Sequence, residues 1–114
     1  MSVNYLLVIV SVPNITVARK LVAVTLKHRL AACVQVTEQV RSTYWWQGVL
    51  TSSKERICIF KTTSEHYPKL EQVIKKVHPY ETPEIIALPI VAGSEEYLCW
   101  LTQELKSPRN GEQG

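Results

Sequence analysis

Three segments of this chain are apolar on both alternating sets of side chains, and that pattern constrains its fold more than any motif does. In Tyr5–Val12, Leu6, Val8 and Val10 alternate with Leu7 and Ile9; Ile57 and Ile59 alternate with Cys58 and Phe60; Ile86, Leu88 and Ile90 oppose Ile85 and Val91. Successive side chains of a strand point to opposite faces, so each segment, as a strand, needs apolar cover on both sides. A chain of 114 residues is a single domain with a single core. Two helices can cover one face of its sheet. The economical cover for the other face is a further copy of the chain, because monomers rarely expose more than a few hundred Å² of continuous apolar surface.

The remaining segments supply the helices. Pro13 and Asn14 end the first strand, and Asn14 can cap a helix running to about Leu30 with Val17, Leu21, Val24, Leu26 and Leu30 as its apolar stripe. From Cys33 the period changes to two and predicts one long strand to Trp46, kinked near Arg41-Ser42. Gln47-Gly48 is a two-residue hairpin turn, and the return strand runs from Val49 to Thr62. Ser64 caps a second helix from Glu65 to Val77, in which Tyr67, Leu70, Val73, Ile74 and Val77 keep the helical spacing. A strand from Glu84 to Val91 follows, and Pro89 places that part of it at an edge or a bulge. Ser94 caps a third helix, with Glu95 and Glu96 at its positive end and Leu98, Leu101 and Leu105 as its seam. The order β-α-β-β-α-β with an added C-terminal helix predicts an α+β, ferredoxin-like sandwich over residues 1–106, and residues 107–114 read as a flexible polar tail.

Bulk properties exclude several functions. The net charge of +3 is mild, and Lys27-His28-Arg29, Lys54-Glu55-Arg56 and Lys75-Lys76 are scattered, which leaves no dense patch for nucleic acid. The longest apolar run, Tyr5 to Val10, is too short to span a bilayer. Cys33, Cys58 and Cys99 form no CxxC pair and no signal peptide is evident at the start, so the expected location is the cytoplasm. No GxxxxGK[ST], GxGxxG or GxSxG loop is present, which removes the phosphate-cradle and nucleophile-elbow classes.

The densest polar segment is His78-Pro79-Tyr80-Glu81-Thr82-Pro83-Glu84. Its prolines fix their own φ and push His78 and Thr82 out of the helical region, so an imidazole, a phenol and two carboxylates are held stiffly between a helix and a strand. An imidazole with carboxylates suits a borderline divalent cation, which makes His78 and Glu84 candidate metal ligands. His28, His66 and His78 have no HxH, HxxxH or HExxH spacing, so no structural zinc site is preformed. A Cys33 nucleophile with His78 as base is a competing enzymatic reading that no local base or cation near Cys33 supports. A scaffold that presents Tyr44, Trp45 and Trp46 at a hairpin tip is a third.

Taken in order, Leu30-Ala31-Ala32-Cys33-Val34, Tyr44-Trp45-Trp46-Gln47-Gly48, Lys61-Thr62, His78-Pro79-Tyr80, Pro83-Glu84-Ile85, Pro89-Ile90, Gly93 and Tyr97-Leu98-x-Trp100 resemble the CutA family of divalent-cation tolerance proteins from about Val8 to Leu105. The resemblance implies a non-enzymatic homotrimer similar in architecture to the PII signalling proteins, with long hairpins joining sheets across subunits. It also implies a response to metal ions such as copper, with a divalent cation as weakly bound ligand. Some bacterial members are described as holding copper through a cysteine near the end of the first strand and two histidines before Pro-Tyr; here Val10 and Val77 occupy two of those places and His78 the third. The family's polar subunit cleft would be formed in this chain by Tyr44, Glu55, Lys61 and Tyr80 around His78 and Glu84. The alternative it leaves is a PII-like signalling or scaffold trimer that binds a small molecule or a protein.

Overall fold

The computed structural model describes residues 4–106. Its elements are β1 (Tyr5–Val12), α1 (Ile15–Lys27), β2 (Cys33–Val36), β3 (Val40–Trp46), β4 (Val49–Thr63), α2 (Tyr67–Val77), β5 (Ile85–Pro89) and α3 (Glu95–Leu105). The strands form an antiparallel sheet in the order β2-β4-β1-β5, with β3 continuing β2 along β4. This is the ferredoxin-like arrangement expected from the element order, with one helix added. The tail at 107–114 lies outside the described residues.

Side-chain parity assigns the two faces. Val8, Val10 and Val12 of β1 and Cys58 and Phe60 of β4 are buried with Ala18 and Leu21 of α1 and Leu70 and Ile74 of α2. The other parity carries Tyr5, Leu7 and Ile9, paired with Thr63, Lys61 and Ile59. The added helix α3 lies on that second face: Thr102 hydrogen-bonds the Tyr5 hydroxyl at 2.7 Å, and the Lys61 ammonium sits over the Tyr97 ring. Leu101 and Leu105 are buried beneath it, whereas Leu98 is only half-buried. The rest of that face, with Leu7, Ile9, Ile57 and Ile59 half-buried and Ile86 at 49% and Leu88 at 42% exposure, is only partly covered in the single chain.

Local chemistry explains where the elements depart from expectation. Helix α1 stops at Lys27, three residues early, because Arg29 adopts a left-handed φ of 52°. The Leu30 amide then bonds the Thr25 carbonyl and the Arg29 amide that of Leu26, a Schellman closure without glycine. Arg29 is held there by the Glu104 carbonyl at 2.8 Å and carboxylate at 3.2 Å. The buried stripe of α1 is Ala18, Leu21 and Thr25, not the bulkier Val17 and Val24; Thr25 can be buried because its hydroxyl bonds the Leu21 carbonyl. Helix α2 begins at Tyr67 with Pro68 in its first turn, and Ser64 does not cap it; the chain turns once through Thr63, whose hydroxyl bonds the His66 ring.

The long second strand breaks at Thr37–Gln39, ahead of the expected kink at Arg41-Ser42. Val36 pairs with Cys58 and Val40 with Glu55, so three residues on one strand face two on the other. Such a bulge bends the strand away and sharpens its twist. The Thr37 hydroxyl accepts from the Ile57 amide, and Arg56 bonds the Thr37 carbonyl, which fills the broken part of the ladder. Beyond it β3 and the first half of β4 project as a hairpin closed by Gln47 and Gly48, both at positive φ as a type I′ turn requires. The last strand spans Ile85–Pro89, shorter than expected, and pairs with β1 alone, so Pro89 sits on a sheet edge.

Candidate functional site

The hairpin root and the loop after α2 meet at the end of β1. Pro79 holds its predecessor extended, and His78 caps α2 with ψ of 134°, its amide still bonded to the Ile74 carbonyl. The ring turns inward to 6% residual exposure. Its Nε2 lies 2.8 Å from the Ser11 carbonyl oxygen, and its Nδ1 lies 3.1 Å from the Tyr80 amide nitrogen. A carbonyl can only accept and an amide N–H only donate, so the proton is on Nε2 and the Nδ1 lone pair is used. The Tyr80 ring packs on the imidazole with centroids 4.8 Å apart.

From this anchor Tyr80 reaches across to β4, where its hydroxyl donates to Glu55 Oε2 at 3.3 Å. Glu55 is itself 6% exposed, set beside the bulge and paired with Val40. Burial, then the Glu55 charge and hydrogen bond, then Tyr44 raise the Tyr80 phenol above its ordinary pKa. The Tyr44 hydroxyl is fixed by Ser53 Oγ at 3.1 Å. Imidazole, two phenols and a carboxylate therefore converge within one cluster, held by secondary structure on three sides.

Four of the residues singled out from sequence, Tyr44, Glu55, His78 and Tyr80, are brought together. Lys61 is not: it lies six positions further along β4, about 20 Å at strand rise, and engages Tyr97 of α3. Glu84 is exposed, one residue before β5. As metal ligands, His78 has neither ring nitrogen free, and no group of three or more His, Cys, Asp or Glu is placed to hold a metal among the described residues. The Cys33–His78 enzymatic pair is also separated. Cys33 is level with Lys61 and Leu7, whereas His78 bonds Ser11, about 13 Å further along β1. A shallow groove along α2, lined by Pro68, Lys69, Glu71, Gln72 and Lys75, holds none of these residues, and its Glu71 is already taken by Tyr67 and Lys75.

Sequence reasoning missed Ser11 and Ser53. Ser53 was recoverable: a two-residue turn at Gln47-Gly48 sets Tyr44 opposite Thr51, which puts Ser53 on the same face one pair further on. Ser11 contributes only its carbonyl, for which no side-chain signal exists.

A four-stranded core sheet with two helices on one face, a third helix on the other and a projecting hairpin defines the class, a ferredoxin-like α+β subunit with a phenol–carboxylate–imidazole cluster at the hairpin root. The chain belongs to the CutA1 divalent ion tolerance protein family, whose model matches residues 6–104. It is 43% identical over 96 residues to the divalent-cation tolerance protein CutA of Thermus thermophilus, covering 84% of this chain and 93% of that one. It is 39% identical over 98 residues to human protein CutA, of which it spans 55%. The solved structure of the periplasmic divalent cation tolerance protein CutA from Archaeoglobus fulgidus superposes with a TM-score of 0.86 at 30% identity, covering 90% of this chain and 99% of that one. No helix among the described residues is long and apolar enough to cross a membrane.

Proposed function

We propose that the chain acts in the cytoplasm as a non-enzymatic homotrimer that responds to divalent cations, copper among them, at clefts between its subunits. The observation that carries this is the open apolar face of Leu7, Ile9, Ile57, Ile59, Ile86 and Leu88, on the same side of β4 as the Glu55 cluster. A copy seated on those residues would leave the cluster at the rim of the contact, where ligands from two chains can meet. The family's description and the names of its relatives favour a divalent cation as the ligand. In a single chain the cation would find the Glu84 carboxylate exposed and His78 closed, so His78 would join only by exchanging the Tyr80 amide for the metal.

Isothermal titration of the protein with Cu²⁺ and with Zn²⁺, repeated on Glu84→Ala and His78→Ala, tests this reading. Saturable binding weakened by either substitution supports it; no saturable heat, or affinity unchanged in both variants, refutes it. A second reading, a PII-like signalling or scaffold trimer, is favoured by the hairpin tip, where Trp45, Trp46, Val49 and Leu50 are all well exposed. Capture of a protein partner that is lost on Trp45→Ser substitution, without any metal dependence, would favour it.

A further inference from the structure

Two features of the hairpin lack a counter-charge in a single chain, and each could supply what the other lacks. Glu55 is almost fully buried, yet it accepts only one long hydrogen bond, from Tyr80 at 3.3 Å, and no ion pair reaches it among the described residues. A carboxylate that loses its remaining solvent without gaining a cation is strongly unfavourable. On the opposite face of the same hairpin, Arg41 and Lys54 stand directly across from each other, both exposed, with no carboxylate in ion-pair range among the described residues. Like charges directly opposed on an antiparallel pair destabilise it.

Among the described residues, none resolves either. Arg56, next to Glu55, points to the other face and is committed to the Thr37 carbonyl and to Glu38. Lys61 lies at the far end of β4 over Tyr97. Arg41 and Lys54 are one position away from Val40 and Glu55 on each strand and therefore project from the reverse side of the hairpin. A metal is a poor candidate for the Glu55 site, since no group of three or more His, Cys, Asp or Glu gathers there among the described residues.

We infer that the Glu55 site is completed by a second copy of this chain, whose Arg41, with Lys54 beside it, sets its guanidinium on the carboxylate between the Tyr44 and Tyr80 rings. The inference rests on the homotrimer reading. Copies arranged in a closed ring meet through two different surfaces, so one chain must carry both halves of the contact. This hairpin carries a carboxylate on one face and a basic pair on the other. A planar guanidinium suits both a carboxylate and flanking aromatic faces better than a metal ion would. The contact would fix the direction in which the subunits follow one another, and a cleft ligand that displaces Arg41 would loosen the assembly.

The test is sedimentation velocity over a concentration series for the full chain, Glu55→Arg, Arg41→Glu and the doubly exchanged protein, with Glu55→Gln, Arg41→Gln and their double as milder partners. Each single reversal should raise the concentration needed for assembly by about thirtyfold or more, as expected when one partner of a buried charge pair is lost. The double exchange should return it to within about threefold of the starting value. If the charge-reversed chains do not fold, the glutamine cycle decides, because a double that is no weaker than the worse single supports the pairing and strictly additive losses overturn it. Full-length protein that sediments as a monomer removes the trimer reading and this inference together. A trimer indifferent to all of these substitutions, or one that dissociates on chelation whatever stands at position 41, overturns the inference alone.

Discussion

Replacing His78 by alanine separates an anchoring role from a metal-binding one. The substitution leaves the buried Ser11 carbonyl without its donor, which costs about 1–3 kcal/mol. The Tyr80 amide loses its acceptor beside an exposed residue where water can replace it, adding about 0.5–1 kcal/mol. Loss of the ring contact at 4.8 Å adds about 0.5–1.5 kcal/mol. The total is about 2–5.5 kcal/mol, to be read by urea denaturation followed by circular dichroism at one fixed protomer concentration, with metal removed by chelator. A stability within about 0.5 kcal/mol of the unsubstituted protein would refute the anchoring argument. It would mean that the ring is free, as a resident metal ligand would need to be.

Three further outcomes follow from particular residues. Gly48→Ala should lower stability by about 1 kcal/mol through its φ of 80°, since nothing lies within 4 Å of the added carbon, whereas Gln47→Asn should hold or raise it; paired thermal melts check both. Burial pushes the Cys58 thiol up to about 11, so near pH 8 a thiol reagent should modify Cys99 rapidly and Cys58 only when denaturant is present. On α2 the Tyr67 hydroxyl and Lys75 hold the Glu71 carboxyl below its usual value, so its contribution is present above the unfolded carboxylate range and fades as pH falls through the lowered one. The Tyr67 phenol, raised to about 12 by burial and Glu71, contributes stability up to the ordinary phenol value and loses it as pH rises towards 12. Melts against pH should therefore show a shallower acid limb in Glu71→Gln and a shallower alkaline limb in Tyr67→Phe.

Much of this molecule can be read from residue order because its signals are local. The two-faced strands β1 and β4, the Asn14 and Ser94 caps, the Gln47-Gly48 turn and the α2 stripe each depend on a few neighbours, and each appears where expected. Features set by distant partners are not legible in that way. Arg29 holds a left-handed conformation because α3 offers it the Glu104 carbonyl and carboxylate seventy-five residues away. The bulge at Thr37 depends on how Ile57 and Arg56 fill the interrupted ladder. In the cluster, residue types pointed to His78 and Tyr80 and the family resemblance to Tyr44 and Glu55, but both histidine nitrogens are engaged by backbone groups, which no side-chain pattern announces. Lys61 looked equivalent to Glu55 as a polar residue on β4; only the position of α3 shows that it serves the other end of the sheet.

The most direct test of the account is the mass of the folded protein in solution, by sedimentation equilibrium at micromolar concentration with and without chelator. The homotrimer proposed above from the family resemblance, with the open sheet face as its contact, predicts a species of about 39 kDa, three times the 13.0 kDa chain, in both conditions. A stable 13.0 kDa species with that face exposed to water would contradict it.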